Sequence, residues 1–144
     1  MMRSIVFLLS LFLLTLVDAS TTKVLADAAV RRKSLADRAK YWGTATWFVP
    51  SAVENRKSIG ACWEYESDSE YIVAMNSKQY GDLSRKSGWC FKKIRIYGNG
   101  KHVDAIVKDA CPECGYGDLD LTPAAFKKLA DLDKGVLRIS WHEI

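Results

Sequence analysis

The chain has 144 residues, 49% apolar and 26% charged, which excludes a wholly disordered chain and leaves room for one domain plus a processed end. Nine Gly and three Pro exclude collagen-like and proline-rich classes, and four Cys are too few for a cysteine-dense knot. The net charge of +4 does not mark a nucleic-acid binder, because residues 40–144 hold 15 Lys+Arg against 14 Asp+Glu and the basic excess sits ahead of them.

Residues 1–19 read as a secretory signal peptide. Met1-Met2-Arg3 gives a positive start, and Ile5 to Val17 is apolar except for Ser10 and Thr15. The run of about 13 residues suits export and is short of the roughly 20 that a membrane anchor needs. Val17-Asp18-Ala19 offers the residues a signal peptidase reads, so cleavage is expected after Ala19. A secreted, extracellular protein with no membrane segment after cleavage follows. Residues 20–41 read as a pro-segment cut after Arg31-Arg32-Lys33, or as a flexible linker, with at most a weak helix from Val24 to Ala39.

The folded unit is expected over residues 42–144. Gly43 to Phe48 alternates small, β-branched and aromatic residues and reads as a strand. Pro50 to Gly60 reads as a loop, Tyr71 to Met75 as a short apolar strand, and Asn76 to Ser87 as a polar stretch with one helical turn. Ile94 and Ile96 share one face of the next strand. Gly98-Asn99-Gly100 signals a hairpin, since these residues tolerate φ > 0, and Val103, Ala105 and Val107 alternate on the return strand. Thr122 suits an N-cap and Pro123 a first helical position, with the helix continuing over Ala124 to Ala130. Leu137, Ile139 and Trp141 then alternate with polar residues on a final strand. The fold class is mainly β with one or two short helices, and a small barrel suits it better than a sandwich because a helix interrupts the strand series.

In an exported chain an even count of Cys points to disulfides among Cys62, Cys90, Cys111 and Cys114. A redox motif at Cys111-Pro-Glu-Cys114 and a zinc site are the alternatives. The spacing of Cys62 and Cys90 is not that of a zinc knuckle, so no metal is expected. Spacing alone leaves three pairings open.

The densest chemistry runs from Val107 to Pro123. Asp109 is read at the end of a strand and Asp120 just before a helix, with a Gly-containing turn between them. Two carboxylates brought together this way raise one another's pKa and serve as acid and base, with Asp120 the candidate acid. The plainer reading is that Asp120 caps backbone amides and Asp109 holds a turn. Fourteen Trp, Tyr and Phe lie between Tyr41 and Trp141, more than a small core hides. Trp47, Trp63 and Tyr116 adjoin polar or glycine-containing segments and are candidates for exposed rings beside the carboxylates. His102 and His142 are far apart in sequence and do not read as a dyad. No phosphate-binding glycine loop and no Asn-x-Ser/Thr sequon occur.

Residues 42–144 resemble the double-psi β-barrel of expansins, barwin, bacterial rare lipoprotein A and family 45 glycoside hydrolases. The resemblance rests on Gly43-Thr-Ala-Thr-Trp-Phe48, Gly60-Ala-Cys62, Tyr71-Ile-Val-Ala-Met-Asn76, Cys90-Phe-Lys-Lys-Ile-Arg-Ile96, Val107-Lys-Asp-Ala-Cys-Pro-Glu-Cys114, Asp118-Leu-Asp-Leu-Thr-Pro-Ala-Ala-Phe126 and Val136-Leu-Arg-Ile-Ser-Trp141. It implies a six-stranded double-psi barrel, a polysaccharide groove lined by Asp109, Asp120 and Thr46, and disulfides Cys62–Cys90 and Cys111–Cys114. Since Asp109 closes a strand and the turn after it folds back, Thr46 is expected between the two aspartates, with Tyr116 or Trp47 on the rim. No cofactor is implied. Trp63 and Phe91 stand where the family often has Gly, and could cover or extend the groove. The hydrolases carry an acid on the first strand, whereas this chain has Thr46-Trp47-Phe48 there, so an inverting hydrolysis lacks its base. Full expansins add a second domain, and any wall loosening by this chain is expected to be weak.

The resemblance therefore implies a monomeric, non-hydrolytic partner of cell-wall polysaccharide of the cellulose, chitin or peptidoglycan type. The alternatives are a protease inhibitor or effector-like protein acting on a secreted protease or host protein, and a glycan-cleaving enzyme.

Overall fold

Alternating apolar positions on the longer strands and the unbroken apolar run Ile72–Met75 are buried together when the sheet closes into a barrel. The computed structural model describes residues 20–28, 30, 41–52 and 58–144. The expected signal segment and cleavage site, the Arg31-Arg32-Lys33 triplet and part of the Pro50–Gly60 loop lie outside them. The chain divides into two units, Met1–Arg38 and Ala39–Ile144. In the first, residues 20–28 and 30 are helical and exposed, so this helix starts ahead of the Val24 read from sequence.

The second unit has six strands: β1 (Tyr41–Trp47), β2 (Ile72–Asn76), β3 (Lys93–Gly98), β4 (Lys101–Cys111), β5 (Leu119–Leu121) and β6 (Leu137–Glu143). Two short helices, α1 (Ser77–Tyr80) and α2 (Pro123–Lys127), and single 3₁₀ turns at Pro50–Ala52 and Leu132–Lys134 complete it. The strands close in the order β1-β5-β2-β4-β3-β6. The β1–β5 and β2–β4 pairs are parallel and the other four are antiparallel. Closure leaves no unpaired sheet edge. This is the six-stranded barrel that the resemblance implies.

Val73, Met75, Ile94, Ile96, Val107, Leu119, Leu121, Phe126 and Trp141 fill the interior. Burying each large side chain contributes about 1.5–3 kcal/mol. The β3–β4 hairpin turns on Asn99 (φ 53) and Gly100 (φ 74), the two left-handed residues that a two-residue turn requires.

Three details differ from the sequence reading. β5 is a strand, not an approach to the helix, so Asp120 sits in mid-strand. Thr122 occupies the N-cap, but its hydroxyl makes no capping bond. It donates to the Glu70 carbonyl and accepts from Ile72 N–H, which clasps the start of β2 to the end of β5. α2 ends at Lys127 rather than Ala130, and Leu129 and Ala130 stay buried in the tighter turn that follows.

Both expected disulfides form, Cys62–Cys90 and Cys111–Cys114. The first closes a separation of 28 residues. A loop of that size is worth about 3–4 kcal/mol through the unfolded chain. Gly43 and Gly117 bring β1 and the turn before β5 into backbone contact. A Cβ on Gly117 would overlap the Trp42 carbonyl oxygen, and one on Gly43 would overlap the Gly117 carbonyl. Side chains at either position would push the turn off β1 and shift β5, which carries Asp120.

Candidate functional site

Strand register decides which polar side chains meet. Thr46 on β1 pairs with Asp120 on β5, and Ala74 on β2 pairs with Asp120 on one side and Asp109 on the other. Thr46, Asp120, Ala74 and Asp109 therefore form one row across four neighbouring strands. Leu119 and Leu121 flank Asp120 and point into the core, so the row lies on the outer face of the barrel. A shift of register between Val73 and Ala74 places Lys108 out of step on β4 and brings Asp109 into the row.

Thr46 Oγ1 donates to Asp120 Oδ1 at 2.6 Å. Burial pushes the Asp120 carboxyl above its ordinary pKa, while the Thr46 hydroxyl and the Leu121 amide pull it back. The Asp109 charge adds a smaller upward push. The raised pKa matches expectation, but its main cause is burial rather than the neighbouring acid. The two aspartates are separated by one strand, about 9–10 Å between Cα atoms, which explains the weak coupling. Thr46 is not between them, as the sequence reading had it. It stands on the far side of Asp120.

Asp109 is anchored differently. Its Oδ1 accepts the Ala61 amide at 2.7 Å. Ala61 belongs to a small hairpin over residues 58–66, in which Ile59 bridges Tyr65, Glu66 N–H donates to Ser58 O, and Trp63 N–H donates to Gly60 O. Cys62 N–H donates to the Lys108 carbonyl and docks the hairpin on the irregular turn of β4.

This hairpin carries a residue the sequence reading missed. Glu66 is only 8% exposed, and neither carboxyl oxygen has a hydrogen-bond partner. Its pKa is pushed up to about 8, first by burial and then by the Asp109 charge, with Lys108 opposing and Glu70 adding. The carboxyl group lies against Gly60, where a Cβ would meet Glu66 Oε1 at 2.5 Å and the Lys108 carbonyl at 2.6 Å. Burial therefore favours the neutral form of Glu66, which shares its surroundings with Asp109.

The two rim candidates part company. Trp47 lies on the opposite face of β1 from Thr46, packs against the core and donates its indole N–H to Leu132 O at 3.0 Å. It is no open platform, because strand alternation turns it toward Leu121. Tyr116 is 64% exposed and stands edge-on to Tyr41 at 6.2 Å. Tyr41 and Thr46 lie near opposite ends of β1, roughly 16 Å apart, so Tyr116 borders a different stretch of surface. Asp118, in the same sequence cluster, holds the turn by accepting from Thr44 N–H and Gly115 N–H. His102 and His142 meet on either side of Tyr97, away from the aspartate row. Among the described residues no group of three or more His, Cys, Asp or Glu could hold a metal ion.

The double-psi β-barrel family described as lytic transglycolase matches residues 41–141. The chain belongs to this family. Among curated proteins it is similar to the papain inhibitor of Streptomyces mobaraensis, 43% identical over 89 residues, which are 59% of this chain and 62% of that protein. The chain thus spans less than two thirds of that relative. Among solved structures it is similar to a Streptomyces papain inhibitor, with TM-score 0.61 and 28% identity over 72% of this chain and 92% of the other. A Clavibacter michiganensis expansin mutant in complex with cellohexaose gives TM-score 0.62 and 26% identity over 72% of this chain and 50% of the expansin.

Proposed function

We propose that this chain is a secreted protein that binds cell-wall polysaccharide without cutting it. The observation that carries this reading is the Thr46–Asp120 hydrogen bond, set in one outward-facing row with Asp109. Such a row offers sugar hydroxyls both donors and acceptors on a rigid surface. The likeness to an expansin solved with cellohexaose supports a glycan chain as the ligand. Two closed disulfides suit an oxidising, extracytoplasmic route.

The non-hydrolytic part rests on what β1 lacks. Its sequence Tyr-Trp-Gly-Thr-Ala-Thr-Trp has no carboxylate to activate water beside Asp120. Inverting hydrolysis needs a base across the sugar ring from the acid. Asp120 remains the candidate acid for a reaction that needs only one.

A second reading is favoured by the 43% identity to a papain inhibitor. In it the barrel is a scaffold and its loops, above all the hairpin over residues 58–66, contact a cysteine protease. One set of tubes separates the readings. Wild type and Asp120→Asn are pulled down on cellulose, chitin and peptidoglycan, soluble sugar is measured, and papain activity is followed alongside. Binding weakened by Asp120→Asn, with sugar release at background, is the expected result. Sugar release abolished by Asp120→Asn would replace the binder with an enzyme. Papain inhibition with no glycan retained would establish the inhibitor instead.

A further inference from the structure

Outside the aspartate row, the Cys62–Cys90 disulfide presents an arrangement that folding alone does not require. The residue after each cysteine is aromatic and left-handed: Trp63 at φ 61 and Phe91 at φ 67. Bulky side chains are disfavoured in this conformation, which Gly adopts freely. Neither ring repays that strain by core packing, since Trp63 is 64% and Phe91 47% exposed. The Lys86 ammonium lies 5.2 Å from the Trp63 ring centre and 5.3 Å from that of Phe91. Among the described residues Lys86 forms no ion pair, whereas nearby Arg85 and Lys92 are neutralised by Asp82 and Glu143.

Two exposed rings joined through one uncompensated cation fit a ligand with flat, weakly polar faces and a regularly placed negative charge. We propose that Trp63, Phe91 and Lys86 form a binding platform for an acidic polysaccharide, a polyuronate. The rings take the faces of its sugars and Lys86 takes a carboxylate. A neutral glucan would leave Lys86 without a counter-charge, so charge complementarity selects the acidic polymer. The platform also adjoins the aspartate row. Trp63 follows the Ala61-Cys62 segment that binds Asp109 and Lys108, and Phe91 N–H donates to Val107 O, two residues before Asp109. This inference rests on the polysaccharide reading and names the polymer class that the surface prefers.

Because Gly suits both backbones, Trp63→Gly and Phe91→Gly separate binding from folding. The full chain and its variants are titrated with polygalacturonate and with cellohexaose at low and high salt, and melting temperatures are recorded. Wild type is expected to prefer polygalacturonate, with an affinity that falls as salt rises. Each Gly variant should melt no lower than wild type and bind polygalacturonate about tenfold more weakly, as the loss of one stacked ring implies. Lys86→Gln should bring the two ligands close to equal affinity and remove the salt dependence. Unchanged polygalacturonate binding in all three variants would overturn the platform, while loss of cellohexaose binding in Asp120→Asn would still support the polysaccharide reading. If wild type binds neither polymer, both fall. If the Gly variants instead lose papain inhibition with no glycan bound, the surface docks a protein and the proposal is wrong.

Discussion

Two carboxyl groups near opposite ends of the candidate row are both raised by burial, yet they are built in opposite ways. Asp120 sits in the sheet ladder between β1 and β2, and a hydroxyl and an amide compensate its burial. Glu66 sits on a hairpin outside the barrel, where no hydrogen bond compensates its burial and only the Lys108 charge opposes it. A strand brings its neighbours at a fixed spacing, so a partner such as Thr46 comes with the register. A docked hairpin is held by a few contacts, here Cys62–Cys90, Cys62 N–H to Lys108 and Ala61 N–H to Asp109. The lesson is that the Asp120 end of the row is set by the fold, while the Asp109 end depends on a separate attachment.

The disulfide is the strongest way to break this contrast. Cys62→Ala with Cys90→Ala should lower unfolding free energy by about 3–4 kcal/mol, against about 2 kcal/mol for removing the smaller Cys111–Cys114 ring. Urea unfolding measures the totals, and hydrogen exchange locates them. The Ala61 and Cys62 amides should lose protection while the ladder of β1 and β5 keeps it. Equal loss of protection at Asp120 would mean that the two ends are one unit.

Glu66 gives the next effect. Unfolded, its carboxyl titrates near the ordinary value of 4.5, whereas folded it titrates near 8. Between those values the unfolded chain gives up the proton and the folded chain keeps it. Stability is therefore full below pH 4.5, declines as pH rises, and levels off above about pH 8. The full shift corresponds to about 5 kcal/mol, and solvent screening of the incompletely buried carboxyl brings the expected loss to on the order of 3 kcal/mol. Glu66→Gln removes the titration, so the variant should be close to wild type near pH 4.5 and clearly more stable at pH 8. Parallel pH profiles for the two proteins, from denaturant midpoints, would show that Glu66 is solvated in solution.

What the sequence made legible follows the same division. Strands with four or more alternating positions were readable, and so was the Asn99-Gly100 turn, because both signals are local. β5 was not, since Leu119-Asp-Leu121 is too short to show a period, and only pairing with β1 and β2 makes it a strand. Asp109 and Asp120 stood out as a pair, but their order in the row depends on register, which sequence does not print. Glu66 lies in Glu64-Tyr-Glu-Ser-Asp-Ser-Glu70, where alternating acids give no apolar period to mark a buried side chain. Its burial comes from docking on Lys108, some forty residues away, and only Gly60 hints that something must approach closely. Trp47 was misjudged for the reverse reason. It stands just ahead of the Pro50–Gly60 loop in sequence, but alternation places its ring on the core.

The smallest effect tests whether Thr46 serves the charged form of Asp120. Thr46→Val keeps the shape and removes the donor. Without the hydroxyl the Asp120 pKa should rise further, because burial still opposes the charge and one of the two groups that lower the pKa is gone. A carboxyl raised in the folded state contributes stability that is full below its unfolded pKa and lost as pH rises through the folded one. The variant should extend that loss to higher pH. It should cost about 1–2 kcal/mol at a pH high enough to ionise Asp120, which then loses a charge-assisted bond. Near pH 3 the cost should shrink, since a protonated carboxyl makes only an ordinary hydrogen bond with the hydroxyl. Carbon NMR of the Asp120 carboxyl gives the pKa directly, and urea midpoints well above and well below it give the cost. An unmoved pKa with the same cost at both would show that Thr46 only packs there. The Asp120 end would then owe its raised pKa to burial alone, as Glu66 largely does, and the contrast between the two ends would rest on attachment rather than on electrostatics.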